Sequence, residues 1–362
     1  MENGIVSRIT EGYFRYQAWP TVCRDGEGTI YVAASGHRLS HICPFGKDVL
    51  YVSRDEGDTW TPPVIINDTC LDDRDAGLTW LGGKKFLLTY FNHPPRAYAE
   101  HYREKILRYS DPSLHEMILG AMKAWESRPE LEEQCGSFTR LSTDGCMTWS
   151  RARRCPLTAP HGPIRLRSGA LLFLGVPFHA PGIRDGNVYA MKSTDEGETW
   201  QTLGMVPNPA WRTEKMGFYE PYAAELPDGN LLGMIRVEEG NTRTMRTWRT
   251  FSADGGLTWT EPEEFGICGS PPHLLVHSSG AVVFTYARRT PPCGERARVS
   301  FDGGRTFGEE IVLGAEAPDW DHGYPSSVEL SDGRIMTVYY QKYGADPYNS
   351  LLFTKWELPA KS

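Results

Sequence analysis

Residues able to move protons or hold anions recur in this 362-residue chain at one kind of place, beside short apolar runs opened by glycine. The runs are GTIYVAA from Gly28, GKKFLLTY from Gly83, GALLFLG from Gly169, GNLLGMI from Gly229, GAVVFTY from Gly280 and GRIMTVYY from Gly333. His37, Arg38 and His41 follow the first run, and Asp72-Asp73-Arg74-Asp75 precede the second. His161 precedes the third, Tyr219-Glu220 precede the fourth and Arg236 follows it. Arg288-Arg289 follow the fifth, and Asp321-His322-Gly323-Tyr324 precede the sixth. Carboxylates and imidazoles are proton-transfer groups, and a planar guanidinium can grip both oxygens of a carboxylate. Three carboxylates beside one arginine, as at Asp72 to Asp75, shift one another's pKa values. Each residue also has a plainer structural role available: a carboxylate binding loop backbone, a packed rim aromatic, an arginine on a solvated face.

What must position these residues is a repeated unit. The phrase Ser-x-Asp-x-Gly-x-Thr-Trp starts at Ser53, Ser142 (as STDGCMTW), Ser193, Ser252 and Ser300, the last copy ending in Phe307. An Asp can bond the backbone of its own turn, Gly supplies the turn conformation and the aromatic anchors the hairpin. Aspartates such as Asp55 and Asp254 are therefore structural and belong on an outer rim. The intervals between copies are 89, 51, 59 and 48 residues, the first lengthened by an insertion. Six hairpin signals and five such phrases predict six units, the last without its phrase. Sheets of about four strands that cannot bury both faces alone stack radially. The fold class is all-β, a six-bladed β-propeller spanning residues 1–362 as one domain. Within it, residues 94–137 change to helical periodicity (HYREKILRYS, LHEMILGAMKAWESR), which predicts two short helices, as a packing decoration or a lid over the channel mouth.

Bulk properties exclude several classes. A net charge of −8 opposes a nucleic-acid partner or a membrane surface. An anionic ligand would need a local arginine cluster to overcome that field. No apolar run approaches the roughly 18 residues of a membrane span. The opening MENGIVSRIT has no signal-peptide core, and eight scattered cysteines form no C-x-x-C pair. These predict free thiols, a cytoplasmic location, no zinc site and no cofactor. Homo-oligomerisation stays open.

Beyond composition, the repeated phrase resembles the Asp-box of the sialidase (neuraminidase) superfamily, and other segments extend the likeness over nearly the whole chain apart from the insertion. FYEPYAAELPDGNLLGMIR is similar to the segment in which a Glu precedes a hairpin and an Arg ends its second strand. That resemblance implies a catalytic base at Glu220 and a carboxylate-binding arginine at Arg236. GYPSSVELSDG looks like the segment opened by the family's catalytic tyrosine, implying a nucleophile at Tyr324. YARRTPPCGERARVSFDGG resembles the segment with a further arginine, placed on Arg289 with Arg288 and Arg296 as alternatives. Sialidases with a Tyr nucleophile depart from the two-carboxylate scheme of glycosidases. A neutral tyrosine does not repel an acidic sugar as a carboxylate would.

Two departures from the family pattern stand out. The Phe-Arg-Ile-Pro phrase is replaced by Phe14-Arg15-Tyr16-Gln17-Ala18-Trp19-Pro20, so that Ala18 or Arg15 occupies the arginine's place according to the alignment chosen. The loop expected to carry an acid/base Asp, SGHRLSHICPFGK, offers His37, Arg38 and His41 instead. Asp75 or Asp73 from the next unit, or a histidine with its pKa near 6.5, would then supply the proton. The resemblance implies an exo-glycosidase, an exo-α-sialidase above all, acting on the terminal acidic sugar of a glycan or oligosaccharide. Substrate contacts would come from Arg236, Arg289, Arg15, Arg38, His37, His41 and His161. The alternatives are a hydrolase or lyase of another sugar acid, such as a uronate, and a non-catalytic glycan-binding propeller.

Overall fold

The computed structural model describes residues 1–177, 186–210, 212–240, 245–314 and 316–361. Six four-stranded antiparallel sheets follow one another along the chain. Their innermost strands are Tyr16–Arg24, Asp73–Gly82, Ile164–Arg165, Met216–Glu225, His273–Val276 and Gly323–Glu329. The sixth sheet takes its outermost strand, Glu2–Ser7, from the start of the chain, paired antiparallel with Asn349–Trp356. This closes the ring. It also explains the missing sixth phrase, because no turn joins the third and fourth strands of that sheet.

Burial is concentrated between blades. Leu172, Leu174, Leu231 and Ile235 pack with Trp248 and Trp259 between the third and fourth sheets, and Val283, Val299, Ile335 and Trp356 between the fifth and sixth. A single blade exposes both faces, so its stability comes from its two neighbours.

The five repeated phrases are the turns between third and fourth strands. In the first, Ser53 Oγ donates to Asp55 Oδ1 at 2.8 Å and accepts from Gly57 N at 2.7 Å. Asp55 also accepts from Thr59 N at 2.9 Å and Thr59 Oγ1 at 2.6 Å. Hydrogen bonds from Thr59 and Ser53 pull the Asp55 carboxyl down to about 2, and Asp254 is held at about 2 in the same way, with Thr258 as its main donor. Two successive residues adopt left-handed φ in every copy; Glu56 and Gly57 lie at 57° and 93°. The second copy places Cys146 at 67° where the others have glycine, and its side chain fills the boundary between the first two blades beside Tyr31 and Ala33. In the last copy a Cβ on Gly304 (φ 81°) would lie 2.5 Å from Leu232 Cδ2, a fully buried side chain. Gly304→Ala is expected to lower the unfolding free energy by about 2 kcal/mol in urea titration.

The insertion forms helices at Arg103–Tyr109 and His115–Glu126 with shorter turns around them, among them Pro95–Ala97 and Glu130–Glu133. Tyr98, Ile106, Ile118 and Met122 pack on Leu39 and Cys43 of the first blade's loop. Tyr98 Oη also donates to Asp72. The insertion therefore buttresses the loop that carries His41.

Candidate active site

Four of the six inner strands share a local irregularity at the candidate site. Trp19, Asp75, Glu220 and Tyr324 have φ of 53°, 55°, 45° and 52°, conformations costly for residues with side chains. Each sits where the register between the first and second strands of its blade slips. A bulge of this kind re-aims a side chain out of the strand's alternation. Pro20, Pro221 and Pro325 follow three of the four. Proline has no N–H, so the slipped position there leaves no ladder donor unpaired. Trp19, Glu220 and Tyr324 each lie nine residues before their hairpin glycine, at Gly28, Gly229 and Gly333. Matched positions in different blades thus converge at one end of the axis.

Tyr324 Oη donates to Glu220 Oε1, and Arg236 Nη1 donates to Glu220 Oε2 at 2.5 Å. All three residues are largely shielded from solvent. Burial, reinforced by the charges of Glu220 and Asp75, pushes the Tyr324 hydroxyl well above its ordinary range. Burial works to raise Glu220 as well, but Arg236, the Tyr324 hydroxyl and Arg289 outweigh it and hold the carboxyl below its usual value. The resting pair is therefore a neutral phenol donating to a carboxylate, the arrangement in which a base can take the proton as the oxygen attacks. Asp75 lines the same cleft, about 180 Å³ in volume, with Phe91, Ala159, Tyr219, Glu220, Arg236 and Glu238 among its walls. Burial, with Glu220 nearby, raises Asp75 to about 7 despite the opposing charge of Arg74. It can hold a proton near neutral pH.

Around this pair lie the other groups. Arg289 lies 5.5 Å from the centre of the Tyr324 ring, and its buried Nε and Nη2 have no hydrogen-bond partner among the described residues. Of the three arginines considered for this place, Arg288 and Arg296 turn instead to Glu310, at 3.5 Å and 3.2 Å. His41 Nδ1 lies 2.9 Å from Asp321 Oδ1, and Tyr16 Oη donates to the same carboxylate at 2.9 Å. Burial opposes the charge of Asp321, yet His41, Tyr16 and Arg289 bring it down to about 2. The His41 ring meets Trp19 edge to face at 5.1 Å.

Several residues expected at the site stand elsewhere. Arg15 pairs with Asp346 at 2.8 Å and covers Tyr348, tying the chain's first segments to the sixth blade. Arg38 is fully buried and gripped by Asp72 through Nη1 at 2.5 Å and Nη2 at 3.2 Å. Asp73 accepts from Thr69 N and Oγ1, both at 2.8 Å, and so holds its own loop. His37 stacks on Phe14 at 4.1 Å on the exposed side of the first blade. His161 lies deeper in the channel, 3.2 Å from Thr21 Oγ1 and 5.0 Å from the His273 ring. Burial lowers His161 to about 3, leaving it a neutral plug residue. Trp19 and Arg74 also stand at this end of the axis, the Arg74 guanidinium 4.1 Å over the Trp19 ring, a placement their types alone did not reveal. The proline after Trp19 and its spacing to Gly28, shared with Glu220 and Tyr324, carried the signal for Trp19.

Residues 100–337 match the family model of the BNR repeat-like domain. The chain belongs to that family. Its six blades and five boxes give it the sialidase-like propeller fold. Among solved structures it is similar to a protein of unknown function from Dyadobacter fermentans, with a TM-score of 0.76, 22% identity and coverage of 99% of this chain and 98% of the other. It is also similar to the NanB sialidase of Streptococcus pneumoniae (TM-score 0.68, 13% identity, 98% of this chain and 70% of that one). A Hadza microbial sialidase matches with a TM-score of 0.63 at 17% identity, over 96% of this chain and 66% of the other. At these identities the likeness concerns the fold. No curated protein matches the chain. Among the described residues no helix is long and apolar enough to cross a membrane.

Proposed function

We propose that the protein is an exo-glycosidase releasing a terminal acidic sugar, with an α-linked sialic acid or related nonulosonate as the leading substrate and another sugar acid, such as a uronate, as the second. The observation that carries this reading is the hydrogen bond from Tyr324 to Glu220, with Glu220 clamped by Arg236. In the first step the Tyr324 oxygen bonds to the anomeric carbon as its proton passes to Glu220. The bond to the leaving oxygen breaks, and that oxygen takes the proton of Asp75. In the second step Asp75, now a carboxylate, takes a proton from water as the water attacks. Tyr324 departs and recovers its proton from Glu220. A phenol brings no charge toward an acidic substrate, and Arg289, with open hydrogen-bonding capacity beside it, attracts the sugar's carboxylate. Eight thiols, all unpaired, fit a cytoplasmic setting.

Incubation with a panel of α-sialosides, other nonulosonides and uronides, followed by proton NMR, tests the substrate class. Free acidic sugar from at least one α-sialoside is the expected result; release from uronides alone would move the assignment to the second substrate, and release from none would refute a glycosidase. The acid step gives a pH signature. With Asp75 near 7, kcat/KM should fall as pH rises through about 7, and Asp75→Asn should remove that limb together with most of the rate on poor leaving groups. Stability carries the matching sign. A carboxyl raised in the folded state contributes fully below its unfolded value near 4 and progressively less as pH rises through about 7. Asp75→Asn should therefore flatten the pH dependence of thermal unfolding over that window.

A further inference from the structure

Four arginines lie around the site, and they divide sharply by what they hold. Arg38 is taken by Asp72. Arg236 spends all three nitrogens on carboxylates: Nη1 on Glu220, and Nε and Nη2 on Glu238. Arg74 and Arg289 hold nothing by hydrogen bond among the described residues. Arg74 is 9% exposed, its Nε is buried without a partner, and the nearest carboxylate, Asp72, stands 3.9 Å away and is already committed to Arg38 and Tyr98. Its guanidinium lies 4.1 Å over the ring of Trp19. Arg289 lies over Tyr324, and the Trp19 and Tyr324 rings meet edge to face at 6.3 Å. Both cations bear on the charge of His41, so they share one neighbourhood. A buried guanidinium left without acceptors is costly, and proteins keep such groups where a ligand supplies them.

We propose that Arg74 and Arg289, flanking the Trp19–Tyr324 ring pair, hold the carboxylate of the acidic ligand, and that Arg236 is a positioning residue for Glu220. The inference rests on the acidic-sugar reading above. Trp19 fills the first-blade position with a flat face on which the second blade's arginine is laid. Arg236, neutralised by two carboxylates, instead fixes the orientation and ionisation of the base.

The test compares dissociation constants for N-acetylneuraminate and glucuronate with those for their methyl esters, by calorimetry, in the wild-type protein and in Arg74→Met, Arg289→Met and Arg236→Met. Methionine roughly keeps the buried length of the side chain and removes the charge. The wild type should prefer at least one acid over its ester by about tenfold to a hundredfold, the worth of a charge-assisted pair. Arg74→Met and Arg289→Met should each bring that ratio close to one, with ester affinity little changed. Arg236→Met should keep the ratio while losing turnover. Arg74→Lys, which retains charge but not the planar fork, should give an intermediate ratio and guards against misfolding of the methionine variant. A full acid preference in both Arg74 variants, or its loss in Arg236→Met, would overturn the assignment. No acid preference in the wild type would sink the acidic-sugar reading itself, and this inference with it.

Discussion

Replacing Tyr324 by phenylalanine should lower kcat/KM by about 10³-fold or more while the propeller stays folded. The ring is buried beside Trp19 and Tyr340, with centroids at 6.3 Å and 6.1 Å, and phenylalanine fills the same space. The left-handed backbone at this position coincides with the register slip of the strand pair, and phenylalanine meets it as tyrosine does, so the substitution adds no new strain. What disappears is one hydroxyl and its hydrogen bond to Glu220. Losing that bond should cost about 1 kcal/mol of stability, because Arg236 still satisfies the carboxylate. Thermal unfolding alongside single-turnover kinetics separates the two effects. A glycan-binding propeller would behave differently, showing unchanged affinity and no turnover to lose.

The second large effect is expected at Glu220. Glu220→Gln is nearly isosteric but cannot accept the phenolic proton, and kcat should fall by about 10²- to 10⁴-fold. Tyr324 would then have to lose its proton in a buried setting that strongly opposes ionisation. Arg236 would still be held by Glu238, so the fold should survive. KM should change less than kcat, because Glu220 acts on the nucleophile rather than as a ligand for the substrate carboxylate. Equal losses in kcat and ground-state affinity would point to collapse of the local structure instead.

The propeller was legible because its turn chemistry repeats. Each box needs the same Ser, Asp and Thr hydrogen bonds and two left-handed residues, and these leave a mark on the sequence at every blade. The sixth blade showed the same logic in reverse, since an outer strand supplied by Glu2–Ser7 leaves no turn to mark. That Tyr324, Glu220, Arg236 and Asp75 stand together at one end of the axis was anticipated by their places beside the hairpin runs and by the family resemblance of the segments around Glu220, Arg236 and Tyr324. Arg15, Arg38, Asp73, His37 and His161 were not separable from them by type and approximate position. A shift of one or two residues along a strand turns a side chain toward a loop or a channel plug, and long side chains are captured by whichever carboxylate lies nearest. Asp346 and Asp72 captured Arg15 and Arg38 in this way. Trp19 carried the bulge, the proline and the nine-residue spacing, but an aromatic in an arginine's expected neighbourhood reads as core packing until Arg74 is seen lying on it.

Trapping the covalent intermediate decides whether Tyr324 is the nucleophile. The protein would be incubated with an acidic sugar bearing a reactive anomeric leaving group and a ring fluorine that slows hydrolysis of the adduct, then digested and sequenced by mass spectrometry. One glycosyl adduct on Tyr324, absent from Tyr324→Phe, is the predicted result. An adduct on Glu220 or Asp75, or turnover of the unmodified substrate with inversion at the anomeric carbon, would contradict it.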